Sequence, residues 1–334
     1  YKKIIFKFDK FRSVIIEGNH AEFIFHGQAM PFLFDGCENT VVKNLTIDWD
    51  IPFNFLGEVV AVNEKEGWRD IKPMKEGFSW RVRNGRLEFP NVDGFHYTVP
   101  GSTLAFDANG KRPVHGAWDI ESDPTLVEQL PDGILRFHEK LKRYPPVGSL
   151  LDSKGDREHD RYAPAFDFRN SSNIELDGIV IHHALGMGFL FERSQQIKII
   201  NSGIYLRQGS NRVVSTTADA THFCNCKGSI LIENCRFENM LDDGTNVHGA
   251  SPEIASRTPC PRHPSQSPSS PRPACGTSRR AGCAPSIGRA AGAPMGSLAR
   301  FQVVAVRETE AGTSGRFRAG VGPSQWAWGT SHRG

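Results

Sequence analysis

No run of apolar residues approaches the ~20 needed to cross a bilayer as a helix, which excludes a helical membrane span. Cysteine is scarce, with seven in 334 residues. The four before residue 250 (Cys37, Cys224, Cys226, Cys235) fit neither a disulfide framework nor a zinc pattern of the Cys-x-x-Cys kind. Cys224 and Cys226 with His222 could bind a metal, but burial in the core is the usual fate of a free thiol. Residues 251–334 lack Lys, Asp, Asn and Tyr altogether. They contain 11 Arg and 3 Glu, so this tail carries +8 of a whole-chain +3, leaving −5 on residues 1–250. A body of that balance does not suggest a nucleic-acid partner.

The tail holds 10 of the 21 prolines and shows neither helical nor strand periodicity. Arg without Lys, among Ala, Gly, Pro and Ser, is what GC-rich DNA yields when read in a shifted frame. A disordered tail is the competing reading. The chain opens on Tyr1 rather than Met, so a preceding segment is expected.

What the body does contain is a repeat. A nine-residue pattern starts at Ser13, Asn39, Asn173, Gln196 and Ser229. Its second and fourth positions are mostly apolar (Val14 and Ile16, Thr40 and Val42, Ile174 and Leu176, Ile197 and Ile199, Ile230 and Ile232), the alternation of a strand with one buried face. The sixth is Gly18, Asn44, Gly178, Asn201 or Asn234, residues that tolerate positive φ, so each strand is expected to bend there. The starts are 26, 134, 23 and 33 residues apart. Coils of about 23–26 residues, stacked so that each pairs its neighbours, predict an all-β, right-handed parallel β-helix.

The gap of 134 residues implies an insertion. The expected organisation is first coils over 1–48, an inserted small β-barrel-like domain over 49–165, further coils over 166–250, and the aberrant tail over 251–334. Within the insertion, Trp68, Trp80, Tyr97 and Trp118 could stack on sugar rings or form its core. The run 157–160 reads as a solvated charged face.

Asp219-Ala-Thr-His-Phe223 and Asp243-Gly-Thr-Asn-Val247 repeat one pattern 24 residues apart, with Asp242 beside the second. Stacked in neighbouring strands, the two motifs lie ~4.8 Å apart and crowd three acids together. Like charges are rarely crowded without a use. The acids could cap turns, bind Ca²⁺, or act as an acid and base at a glycosidic bond. Strand alternation puts Asp219, Thr221 and Phe223 on one side and His222 on the other, unless the chain bends at Ala220.

The runs 215–226 and 238–249 resemble glycoside hydrolase family 110, the bacterial exo-acting α-1,3-galactosidases of blood group B-type and linear α-galactosyl glycans. The resemblance extends from about residue 1 to Gly249. It implies an inverting glycosidase on a parallel β-helix, needing no metal or other cofactor, in a secreted, periplasmic or cell-envelope location. The implied substrate is a glycan ending in α-1,3-linked galactose. Asp219, Asp242 and Asp243 fall on the essential acids, with Asp219 assigned as general acid and Asp242 or Asp243 as base. His222, Asn246 and His248 suit hydroxyl recognition, with Arg207 and His183 as further candidates. A β-helix polysaccharide lyase and a non-catalytic glycan-binding β-helix are the rival readings.

Overall fold

The computed structural model describes residues 3–89, 99–109, 111–155, 162–249 and 301–303. Among the described residues no helix is long and apolar enough to cross a membrane. Apart from Phe301–Val303, the tail lies outside them, as do Tyr97 and the charged run 157–160.

The structure is a parallel β-helix. One sheet stacks Ile4–Asp9, Met30–Asp35, Phe166–Arg169, Phe189–Glu192, Thr221–Cys224 and Thr245–His248. A second stacks Val14–Phe25, Glu38–Trp49, Ser172–Ile181, Gln195–Ile200, Lys227–Glu233 and Phe301–Val303. Every neighbouring pair in both sheets is parallel, and the register joins equivalent positions of the repeat, Ile174 to Thr40 and to Ile197. The short strands Gly203–Ile204 and Arg236–Phe237 continue a third face beyond the bend.

The bend falls at the sixth position in four coils, where Asn44, Gly178, Asn201 and Asn234 have φ of 53, 67, 49 and 54°. Side-chain amides reinforce this corner, as where Asn234 Nδ2 donates to Asn201 Oδ1 at 2.7 Å. The first coil departs from the expectation. There the left-handed residues are Asn19 and His20, and the register slips between Glu17 and Ala21. Gly18 is needed for space instead, since a Cβ on it would meet the Asn44 carbonyl oxygen at 2.3 Å.

Inside the coils, rings stack along the helix axis. Phe8, Phe34, Phe168, Phe191 and Phe223 form one column with centroids 4.6–5.2 Å apart. Cys37, Ser171, Ser194 and Cys226 form another at a corner, where Ser171 Oγ accepts from the Cys37 amide and Cys226 Sγ donates to the Phe191 carbonyl. The thiols take the hydroxyl's place in a buried column. Cys37, Cys226 and Cys235 are free and buried, and Cys224 is half-buried.

Between Trp49 and Phe166 the chain builds a seven-stranded antiparallel sheet from Phe55–Asn63, Trp68–Pro73, Gly101–Asp107, Ile120–Ser122, Leu126–Gln129, Leu135–His138 and Ser149–Ser153. Its apolar face joins that of the coils in one core running from Phe34 through Trp49, Phe53 and Phe55 to Phe137. The faces of Trp68 and Trp118 are covered by the guanidiniums of Arg136 and Arg143 at 3.7 and 4.0 Å. Trp80 packs against the core.

Candidate active site

The chain bends at Ala220 and again at Gly244, immediately before the strands Thr221–Cys224 and Thr245–His248. Those strands pair in register, Thr221 on Thr245 and His222 on Asn246. The Ala220 amide donates to the Asp243 carbonyl at 2.9 Å, which locks the two bends together one coil apart. The bends project the acids out of strand alternation and towards one another. An oxygen of each of Asp219, Asp242 and Asp243 lies within 4.8 Å of the others. Asp219 is 1% exposed, while Asp242 and Asp243 face solvent.

Because the chain bends at Ala220, His222 meets Asp219 after all. Its Nδ1 lies 2.5 Å from Asp219 Oδ2. Its Nε2 lies 2.8 Å from His248 Nε2, with the two rings edge to face. Asn246 Nδ2 donates to Asp243 Oδ2 at 3.1 Å. Partial burial holds the Asp243 carboxyl above its ordinary pKa, reinforced by the charges of Asp219 and Asp242. The Asn246 bond and His222 oppose that rise. Three carboxylates this close suit proton transfer, and they are also donors a hard cation accepts.

Arg207 and His183 are tied into a different network. Arg207 Nε donates to Asp48 Oδ2 at 2.7 Å, and its Nη2 pairs with Glu22. Arg212 Nη1 bonds the other Asp48 oxygen at 2.6 Å. His183 is fully buried against Trp49, with its Nδ1 2.8 Å from the Ser215 carbonyl. Burial, with Arg212 nearby, drives its pKa down to about 3, so it is a neutral structural imidazole.

Lys154 was not singled out in the sequence. It follows the strand Ser149–Ser153 of the inserted sheet, and its buried Nζ donates to the Thr217 carbonyl at 2.9 Å, two residues before Asp219. Behind it, Asp152 accepts from Asn54 Nδ2 at 2.9 Å, and burial pushes its carboxyl up to about 7. A lone Lys at a strand end carries no sequence signal for a contact 63 residues away.

Residues 55–151 match the family described as GLAA-B beta-barrel domain I. Over 257 residues the chain is 39% identical to alpha-1,3-galactosidase A of Shewanella woodyi, which covers 76% of this chain and 41% of that protein. It is 30% identical over 258 residues to alpha-1,3-galactosidase B of Parabacteroides distasonis, covering 77% and 41%. It is 29% identical over 239 residues to alpha-1,3-galactosidase B of Akkermansia muciniphila, covering 71% and 29%. The resemblance to glycoside hydrolase family 110 is borne out. The chain spans about two fifths or less of the length of these curated relatives. The match to the GLAA-B barrel covers the inserted sheet as far as Leu151, and the three acids lie outside it, in the coils.

Proposed function

We propose that these coils carry the catalytic acids of an inverting exo-α-1,3-galactosidase, acting on glycans that end in α-1,3-linked galactose. The observation that carries this reading is the meeting of Asp219, Asp242 and Asp243 within 4.8 Å on adjacent coils. The names of the similar proteins supply the substrate class. An exported location in a bacterium goes with the same reading.

Hydrolysis needs one group to protonate the departing glycosidic oxygen and another to deprotonate the attacking water. Asp243 is the proton donor, because its surroundings favour the protonated carboxyl. Asp219 and Asp242 then hold the water. Two acceptors ~2.7 Å from one water, across its opening angle, stand about 4.3 Å apart, which the cluster accommodates. This exchanges the roles assigned from the sequence, where Asp219 was the donor. Taken pairwise, the acids stand nearer the ~5–5.5 Å of retaining enzymes than the ~6.5–9.5 Å of inverting ones. Inversion here rests on the resemblance to glycoside hydrolase family 110, with the third carboxylate helping to hold the water.

Asp219 and Asp243 bond His222 and Asn246, rather than the Lys or Arg base that a lyase would place there. Time-resolved proton NMR of blood group B trisaccharide with the full chain tests the proposal. β-Galactose appearing before mutarotation is the expected result. α-Galactose as first product would overturn inversion, and no release would overturn the activity for this chain.

A further inference from the structure

Asp219 has almost no contact with solvent, yet as the acid or the base of hydrolysis it changes its protonation once per turnover. As a base it must shed a proton afterwards, and as an acid it must regain one. Among the described residues a hydrogen-bonded route leads outwards. Asp219 Oδ2 meets His222 Nδ1 at 2.5 Å, and His222 Nε2 meets His248 Nε2 at 2.8 Å. Exposure rises along that route, from 2% for the Asp219 side chain through 13% for His222 to the exposed His248.

We propose that His222 and His248 are a two-imidazole proton relay that resets Asp219 from solvent, and not a pair of sugar-hydroxyl contacts. The inference rests on the galactosidase reading for its purpose, though not for its geometry.

The proton count closes. Two ring nitrogens 2.8 Å apart share one hydrogen, so at rest His222 donates from Nδ1 to the Asp219 carboxylate and accepts at Nε2 from His248. A proton arriving at His248 Nδ1 makes that ring an imidazolium, which passes its Nε2 proton to His222 Nε2. His222, now the imidazolium, passes its Nδ1 proton to Asp219 Oδ2. One proton enters at the surface and one appears on the carboxyl, with each imidazole neutral again. Run backwards, the same steps empty a protonated Asp219 once both rings hold the tautomers left by that transfer, His222 protonated at Nε2 and His248 at Nδ1.

The two rings come from adjacent strands, on the outward face. His222 lies between Leu190 and Asn246 in register, and His248 lies beyond Cys224 and Glu192. Glu192 is engaged by Arg169 and Arg193 at 3.8 and 3.7 Å. Asp219, Asp242 and Asp243 complete the charged surroundings, Asp243 feeling the field of His222.

Two experiments on the full chain decide the matter. In kinetics, His248→Gln keeps a hydrogen bond to His222 but cannot carry a proton. The relay predicts a kcat about tenfold lower, short of the ~10²–10⁴ for loss of a direct acid or base, an unchanged KM, and restoration by added imidazole. A raised KM with unchanged kcat, and no response to imidazole, would overturn the relay in favour of sugar contact. In ¹⁵N-histidine NMR, which needs no turnover, the relay predicts that Asp219→Asn moves the His248 titration midpoint through His222. An identical His248 titration in the two proteins would overturn it. A wild type that releases no galactose would sink the galactosidase reading, and the titration would still decide the relay.

Discussion

Lys154 donates from Nζ to the Thr217 carbonyl at 2.9 Å, so the residue that follows the last strand of the inserted sheet holds the backbone two positions before Asp219. A charge-assisted hydrogen bond of this kind contributes roughly 1.5–3 kcal/mol. Lys154→Met keeps the stem and removes the donor. We expect a lower Tm together with a kcat reduced about tenfold, because small shifts in a reacting group's position are costly. Steady-state kinetics beside thermal unfolding checks it. A fall in Tm with undiminished kcat below the transition would reduce Lys154 to a structural clamp.

Asp152 and His183 bias stability in opposite directions. Asp152, at about 7 against an ordinary 3.8, binds its proton more tightly in the fold than in the unfolded chain. Its contribution is therefore fully present below pH ~4 and lost as pH rises through about 7. His183, at about 3 against 6.5, binds its proton more weakly in the fold. Its contribution is present above pH ~6.5 and lost as pH falls towards 3. Across the shared window the two slopes oppose each other. Asp152→Asn should leave stability rising with pH between about 4.5 and 6.5, and His183→Asn should leave it falling. Urea midpoints at several pH values measure both, and equal slopes in the two variants would count against this account.

The coil was legible because its signals are local. Asn44, Asn201 and Asn234 mark a corner in the sequence itself, and the alternating Ile and Val beside them mark the buried face. The acid cluster was legible for the same reason, since 24 residues is one turn of the stack and Thr221 lands on Thr245. The Asp219–His222 bond was not, because strand alternation put them on opposite sides and only the bend at Ala220 reunites them. Gly18 looked like a bend and is a close approach instead. Long-range partners left no trace. Asp48 and Arg207 stand 159 residues apart, and nothing in the sequence pairs them.

The division of labour among the acids can be separated by leaving group. If Asp243 protonates the departing oxygen, Asp243→Asn should lower the rate on B trisaccharide by ~10²–10⁴. On an α-galactoside of an acidic phenol, which departs without a proton, it should remain close to wild type. Asp219→Asn, which impairs the water instead, should be slow on both substrates. Initial rates on the two substrates decide it. Asp219→Asn recovering on the aryl galactoside while Asp243→Asn does not would restore the sequence-based roles.

A cation and a proton compete for the same three carboxylates. Burial and the charges of Asp219 and Asp242 raise the proton affinity of Asp243, and a divalent ion among them would neutralise those charges and lower it again. If Asp243 is the donor, bound Ca²⁺ removes the acid that hydrolysis requires. Dialysis against EDTA should therefore leave galactose release unchanged, and millimolar Ca²⁺ should slow it, more strongly at higher pH where the proton is held less firmly. A lyase on the same scaffold behaves oppositely, since its cation stabilises the substrate carboxylate and chelation abolishes turnover. Calcium titration of the initial rate at two pH values distinguishes them. Stimulation at either pH would mean that the cluster is built around a metal ion and that the proton assignment is wrong.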